Sequence, residues 1–403
     1  MKLLLITFEY PPYPLAGTGL YAVNLIKNLK KHDVTVITPY FGLGEREEQI
    51  DKVKIKRIDV KGLSFLPSKV NKSFIDKKHL FGLTLRNYLK NINLDDFDLM
   101  HCINSWESDF LDFNYLKKYF NVLISVNEHH IMSSTWNPLK FHSKSTDFPI
   151  RYFHHNILRY FNKKSLEGCN GIISNSNFIK NEIIFQYNLN PDKIHVVHRG
   201  IDTKKFEVKI DKTKYTNHKV LFVGPNMERK GGIYVLKAFL HVVKEFPDAT
   251  LTLIGSCSFV YKKLLHRIIS KNNLQDKVKL IDHVLQSELI PLYAEANVFA
   301  MPSLIEALGQ VYMEALMSKT PVIGCDVGGV SEVITNEVGF LVKPKDSRAI
   351  SDCIINLFND PKKAEEMGRK GRERIQNNFN IDGMIKKTLE VYEKYKIEKN
   401  LIK

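Results

Sequence analysis

Two parallel α/β domains are the fold class this sequence predicts, and three observations predict it. A chain of 403 residues suits two domains of roughly 200 residues each. Short apolar runs alternate with stretches of helical spacing in both halves. Glycines and acidic residues recur just past the ends of the apolar runs, where parallel sheets bind ligands. No internal repeat is visible.

Lys2–Thr7 is a first strand by apolar continuity, too short to span a membrane and followed by no small-residue cleavage site. The loop FEYPPYPLAGTG holds three prolines, which suit neither a helix interior nor a central strand. Gly17 and Gly19 close it before an amphipathic helix, Leu20–Lys30, whose apolar positions Leu20, Val23, Ile26 and Leu29 keep near-helical spacing. The glycines do not form G-x-G-x-x-G, so the dinucleotide fingerprint fails. They let backbone approach a ligand, or simply form a turn. Strands follow at Val34–Thr38, Val53–Val60, Leu99–Ile103 and Val122–Val126, the last running into Asn127, Glu128, His129 and His130. Gly171–Ser174 and Ile194–Val197 complete the first domain, 1–203. A polar, Lys-rich linker is expected over 204–218.

The second domain, 219–385, restarts the alternation. Its strands begin at Val220, Thr250, Val278 and Ala296, with Gly224, Gly231-Gly232 and Gly255 at turns, and Ser287 is the expected N-cap of a helix ending at Glu295. The most informative stretch is SLIEALGQVYMEALMSKTPVIGCDVGGVSE, from Ser303 to Glu332. A helix starting near Gly309 would turn free N–H groups and a positive dipole end outward, a ready phosphate site. Glu306 and Glu314 would lie about 80° apart if both were on that helix. A helix-start charge and a surface charge are the plain alternatives for these two acids. After a short strand, Gly339–Val342, helices run from Ser347, and the last, 386–403, is expected to pack back on the first domain.

Composition narrows the class. Five scattered cysteines without a C-x-x-C pair argue against a metal knuckle or a disulfide framework, and the odd count suits a reducing, cytoplasmic compartment. The net charge of +15 admits nucleic acid, an anionic membrane or a small anionic substrate, but no nucleic-acid recognition motif is present. Lys61–Lys90 and Arg151–Lys164 are basic, the latter interleaved with aromatics, and suggest contact with an anionic membrane.

Taken together, Glu306 to Glu314 (E-x₇-E), Thr320-Pro321-Val322-Ile323, Arg199-Gly200-Ile201-Asp202, Val223-Gly224 with Lys230-Gly231, Gly328-Gly329 with Glu332, and the Tyr10–Gly19 loop resemble the retaining glycosyltransferases of family 4 (group 1) over most of the chain. The resemblance implies a GT-B architecture, two Rossmann-like domains facing across a cleft. It implies a metal-independent enzyme without cofactor that moves a sugar from a nucleotide-diphosphate sugar to a hydroxyl of a glycan or lipid-linked acceptor. By that resemblance Glu306 contacts the donor sugar, Glu314 the ribose hydroxyls, and the backbone at Leu308, Gly309 and Gln310 the diphosphate. Lys230 neutralises the diphosphate, Gly224 and Gly255 flank it, Gly17 lets the first-domain loop close on it, and Val284 lies near the base. Two positions depart from the family. Pro225 stands where an Arg is usual, making Arg229 the candidate second cation. Asn127 stands where a His is usual, making Asn127 and His129 candidate catalytic groups. His101 matches a frequent family His. Asp96-Phe97-Asp98 imitates a metal motif of the other glycosyltransferase fold but reads as a strand start. The alternatives are a nucleotide-sugar epimerase or phosphorylase on the same fold, and a silent sugar-nucleotide-binding protein.

Overall fold

The computed structural model describes residues 1–13, 17–60, 77–127, 159–207, 211 and 213–402. The chain divides into two compact units, Met1–His198 with Met384–Lys403, and Arg199–Gly383.

The first unit is built on an eight-stranded sheet. Its elements are β1 (Lys2–Ile6), α1 (Gly17–Asn28), β2 (Asp33–Tyr40), β3 (Glu47–Ile50), β4 (Val53–Asp59), α2 (Lys77–Leu89), β5 (Leu99–Cys102), α3 (Phe113–Leu116), β6 (Asn121–Val126), β7 (Gly171–Ser174), α4 (Asn177–Tyr187) and β8 (Ile194–Val196). The spatial order is β3-β4-β2-β1-β5-β6-β7-β8. Leu3, Leu4, Leu5 and Ile6 are all fully buried because strands of a parallel sheet are covered on both faces. Leu3 registers with Val34 on one side and Leu99 on the other. The sheet is not wholly parallel as expected: β3 pairs antiparallel with β4. Its sequence, EEQI, is polar and mostly exposed at the sheet edge, so it carries no apolar alternation. Helix α1 starts at Gly17, three residues before the expected Leu20.

The second unit has a six-stranded parallel sheet. Its elements are β9 (Lys219–Val223), α5 (Met227–Lys230), α6 (Gly232–Glu245), β10 (Thr250–Ile254), α7 (Phe259–Lys271), β11 (Val278–Ile281), α8 (Gln286–Glu295), β12 (Val298–Met301), α9 (Gln310–Met317), β13 (Val322–Cys325), α10 (Val330–Val333), β14 (Gly339–Val342), α11 (Ser347–Asn359) and α12 (Pro361–Asn378). The order β11-β10-β9-β12-β13-β14 is the doubly wound Rossmann order, reversing direction between β9 and β12. Helix α7 had no counterpart in the sequence reading. Ser287 is not the N-cap of α8; Leu285 is, and the Glu288 carboxylate accepts its N–H at 2.7 Å.

Residues 199–218 are part of the second unit, although a solvated linker was expected over 204–218. Ile201, Phe206 and Tyr215 enter its core. Lys214 is fully buried. Its ammonium donates to the carbonyls of Tyr293 (3.1 Å), Ala294 (2.8 Å) and Ser318 (3.1 Å) and to Thr320 Oγ1 (2.7 Å). These lie at the C-terminal ends of α8 and α9, where helix dipoles favour a cation. Burial nevertheless pulls the Lys214 pKa down to about 7.

The last helix, α13 (Ile381–Ile402), begins in the second unit and contributes the residues from Met384 onward to the first. Within the first unit the Tyr395 carbonyl accepts from Asn121 Nδ2 at 2.5 Å. Among the described residues no helix is long and apolar enough to cross a membrane. The five cysteines are free, with Cys102, Cys169 and Cys325 buried.

Candidate functional site

In a doubly wound sheet the ligand crevice lies beyond the C-terminal ends of the strands where the order reverses. In the second unit those strands are β9 and β12. The loop after β9 begins at Gly224, whose N–H donates to the Ile254 carbonyl at 2.9 Å. A Cβ on Gly224 would sit 3.0 Å from Lys230 Cγ, so the glycine makes room for that side chain. Asn226 caps α5 by accepting the Arg229 N–H at 3.2 Å, and Gly231, in the left-handed region (φ +82°), closes it. This single-turn helix brings Lys230 over the end of β9.

The loop after β12 supplies the counterpart. Glu306 ion-pairs with Lys230, both side chains being about nine-tenths buried. Burial pushes the Lys230 pKa down, the Glu306 carboxylate pushes it up, and Arg229 pushes it down again; the net shift is downward. Arg229 Nη1 reaches the Ile305 carbonyl at 3.4 Å, so it stands beside the same loop. Gly328-Gly329, after β13, joins the crevice through the Gly329 N–H, which donates to the Glu306 carbonyl at 3.4 Å.

Glu306 lies in the loop before α9, not on the helix, so the expected 80° relation to Glu314 does not hold. The break is at Gly309, the N-cap, at φ +90°. A Cβ there would fall 2.4 Å from Tyr312 Cδ2, so only glycine fits. No side chain caps α9: the Tyr312 N–H turns back to the Gly309 carbonyl at 3.1 Å, and the N–H groups of Gln310 and Val311 at the helix start keep no intrahelical acceptor. The buried cation and this helix start therefore stand on consecutive parts of one crevice, an arrangement suited to a polyanion. Leu308 is buried in the core, so only its backbone can serve a ligand. Gly255 (φ +144°) closes β10 with its N–H on the Ile281 carbonyl at 2.9 Å; a Cβ there would meet Gly224 O at 2.0 Å. Val284 is half-buried against the core, past the end of β11.

Glu314, on the second turn of α9, accepts from the Tyr293 hydroxyl at 3.1 Å. It borders a cavity of about 470 Å³ shared with Tyr293, Pro291, Ile290, Phe206 and Lys205. Burial raises its pKa to about 7 against the opposing hydrogen bonds of Tyr293 and Gln310. The sequence reading did not assign Tyr293 or Phe206 to the site. Tyr293 fell inside the expected Ser287–Glu295 helix, and Phe206 inside the expected linker.

The first unit holds the other candidates. Gly17 is the exposed first residue of α1, and Glu9 Oε2 accepts the N–H of Gly19 at 3.0 Å. Asn127 is buried at the end of β6; its amide donates to the Ile103 carbonyl at 2.8 Å, and its own carbonyl accepts from Asn175 at 3.1 Å. His129 lies outside the described residues, as do most of the basic stretches 61–90 and 151–164. His101 is fully buried between the Tyr392 hydroxyl (2.6 Å) and Ser125 Oγ (2.7 Å), and burial holds its pKa near 3, so it is a neutral core histidine. Asp98 accepts the Lys2 N–H at 2.8 Å at the N-terminal edge of the sheet, a strand-start role. Glu107, like Tyr293 and Phe206, carries no sequence signal that singled it out. At the reversal between β1 and β5, buried Glu107 accepts the N–H groups of Phe8 (2.6 Å) and Asn104 (3.1 Å), and burial raises its pKa to about 8.

Comparison with known proteins agrees with this fold. Over 406 aligned residues the chain is 25% identical to an uncharacterized glycosyltransferase of Methanocaldococcus jannaschii, covering 97% of this chain and 98% of that protein. It is 26% identical to the O-antigen chain mannosyltransferase RfbU of Salmonella typhimurium, covering 73% and 81%. In fold it is similar to sucrose-phosphate synthase of Thermosynechococcus elongatus (TM-score 0.75, 19% identity, 98% of each chain) and to Anabaena HepE in complex with UDP-glucose (TM-score 0.72, 17% identity, 98% and 100%). Two family models lie nearly end to end along the chain, Glycosyltransferase Family 4 over residues 15–205 and Glycosyl transferases group 1 over residues 201–374. The chain belongs to the group 1 and family 4 glycosyltransferases and is a glycosyltransferase.

Proposed function

We propose that the protein transfers a sugar from a nucleotide-diphosphate donor to a hydroxyl of a glycan or lipid-linked acceptor, with retention at the anomeric carbon. The observation that carries this is the buried Lys230–Glu306 pair beside the uncapped start of α9. The diphosphate binds at the N–H groups around Gly309 and Gln310, with Lys230 and Arg229 supplying charge. Glu306 accepts from donor-sugar hydroxyls, and Glu314 from the ribose, with Val284 near the base. Carboxylates suit this because each can accept several hydroxyl donors. Gly17 lets the first-domain loop close on the diphosphate, and Asn127 and His129 are the first-domain catalytic candidates, Asn127 fixing the strand ends through its amide.

Breaking the bond between the anomeric carbon and the phosphate oxygen builds negative charge on the leaving group. A fixed cation and a helix start, already in place, stabilise that charge without reorganisation and do the electrostatic work a divalent ion would otherwise do. The acceptor oxygen attacks the face the phosphate leaves, and its proton passes to the departing phosphate oxygen. Relatives and structural neighbours support a nucleotide donor: one relative, in Corynebacterium glutamicum, is named as GDP-mannose-dependent, and HepE is bound to UDP-glucose. The enzyme is cytoplasmic and works at the cytoplasmic membrane face.

The test is a thermal-shift panel of UDP, GDP, ADP and CDP and their sugars, followed by NMR of the product's anomeric configuration. At a hundredfold excess over Kd the matching nucleotide adds about 2.7 kcal/mol. Stabilisation by none of the four, or an inverted product, defeats the reading. Donor turnover without acceptor, or strict phosphate dependence, would mark an epimerase or a phosphorylase instead.

A further inference from the structure

Helix α7 has the wrong face for an ordinary surface helix. Phe259 is 71% exposed, Val260 77% and Leu264 41%. At 100° per residue these three share an arc of about 140° with Lys263, Arg267 and Lys271. The opposite face is well anchored. Leu265 and Ile269 are buried, and the Tyr261 hydroxyl accepts the Ile233 N–H at 2.8 Å. The exposed apolar residues are therefore on a fixed, folded helix.

We propose that this outward face of α7 docks on an anionic lipid bilayer. The argument is charge complementarity joined to apolar reach. The helix, FVYKKLLHRIISK, contains no acid. The two acids at its base are engaged away from the outward arc: Asp282 pairs with Lys262 of α7 at 2.6 Å, and Glu228 accepts from the N-cap Ser258 N (2.8 Å) and Oγ (2.6 Å). The face left outward is a basic one with three apolar side chains set among the cations. Lys263 lies over the Phe259 ring at 4.4 Å, so charge and aromatic surface are presented together. Such a helix lies in the headgroup plane, its cations on phosphates and its apolar tips at the acyl boundary.

The location gives the surface a use. Glu228 sits on α5, one turn that also carries Lys230. Ser258 and Tyr261 thus fasten α7 directly to the element holding the proposed phosphate-binding lysine. A bilayer bound at α7 lies beside that site within the same unit. This helix is a different stretch of the sequence from 61–90 and 151–164, and its existence does not depend on the transfer reaction.

The test is co-sedimentation of the full chain with vesicles of phosphatidylcholine alone and with about 30% phosphatidylglycerol. Two triple variants are compared, Phe259→Ser/Val260→Ser/Leu264→Ser and Lys263→Gln/Arg267→Gln/Lys271→Gln. Both sets are exposed, so unfolding midpoints should match the parent's. The parent is expected to bind only the anionic vesicles and to weaken with salt. The cation variant should bind more than a hundredfold more weakly, at about fivefold per charge. The apolar variant should lose at least tenfold. Equal binding to both vesicle types, or parent-like binding by both variants, overturns the proposal. So does a parent dimer in sedimentation velocity that the apolar variant converts to monomer, which would assign the face to a second copy of the chain.

Discussion

Replacing Lys230 by Met leaves Glu306 as a buried carboxylate without its ammonium. Both side chains are about nine-tenths buried, so water cannot make good the loss. Removing one member of a buried ion pair costs about 3–5 kcal/mol. In a domain of this size that lowers the unfolding midpoint by about 6–20 °C. Glu306→Gln should cost a comparable amount by stranding Lys230, whose pKa burial already lowers. The double variant, Lys230→Met with Glu306→Gln, removes both charges and should recover most of the loss, since uncharged replacements of buried pairs are often neutral. Transfer activity should not recover. With the cation gone, the rate should stay about a hundred- to a thousandfold down. Scanning calorimetry and a steady-state transfer assay on the four proteins read the two quantities separately. Additive destabilisation, or a single-variant cost under about 1 kcal/mol, would show that the pair is not energetically coupled. Near-parental activity in the double variant would remove Lys230 and Glu306 from the donor site.

Three further outcomes follow from the same geometry. Glu314 titrates near 7, and only its carboxylate form accepts from two ribose hydroxyls, so donor affinity should rise about tenfold from pH 6 to pH 8; calorimetric titration across that range checks it, and Glu314→Gln should flatten the profile. Gly309→Ala should destabilise the fold by about 2–5 kcal/mol, combining left-handed strain with overlap on the Tyr312 ring, and should abolish the nucleotide-induced thermal shift. Burial holds the Lys214 pKa at about 7 in the folded state against 10.5 for a free lysine, so the cost of burying its ammonium is fully present below pH 7 and is relieved as pH rises towards 10.5. The parent should therefore gain stability relative to Lys214→Met between pH 7 and pH 10; a pH-independent difference in urea midpoints would contradict this.

The strands were legible because a parallel sheet covered on both faces demands unbroken apolar runs, and β1, β5, β12 and β13 have them. The Glu306–Glu314 stretch was legible because its chemistry is local to one strand-loop-helix passage. What stayed hidden depends on neighbours far along the chain. Lys214 looks like a solvated linker residue among other lysines. Its burial is decided by carbonyls near positions 293 and 318 and a hydroxyl at 320. Helix α7 was unreadable for the opposite reason: apolar residues on its exposed face blur the 3.6-residue alternation. The placement of Glu306 off the helix turned on the φ of one glycine, which spacing alone does not give.

The two sheets reverse direction in the same way, yet their crevices are occupied differently. In the second unit the reversal is lined by a lysine and an uncapped helix start. In the first, the Glu107 carboxyl already accepts the backbone N–H groups of Phe8 and Asn104, and burial raises its pKa to about 8, so it fills the place largely as a neutral acid. An incoming phosphate there would have to evict a covalently attached competitor that never diffuses away. The resident carboxyl makes that half a self-filled copy of the crevice, so two similar folds in one chain need not compete for the same donor.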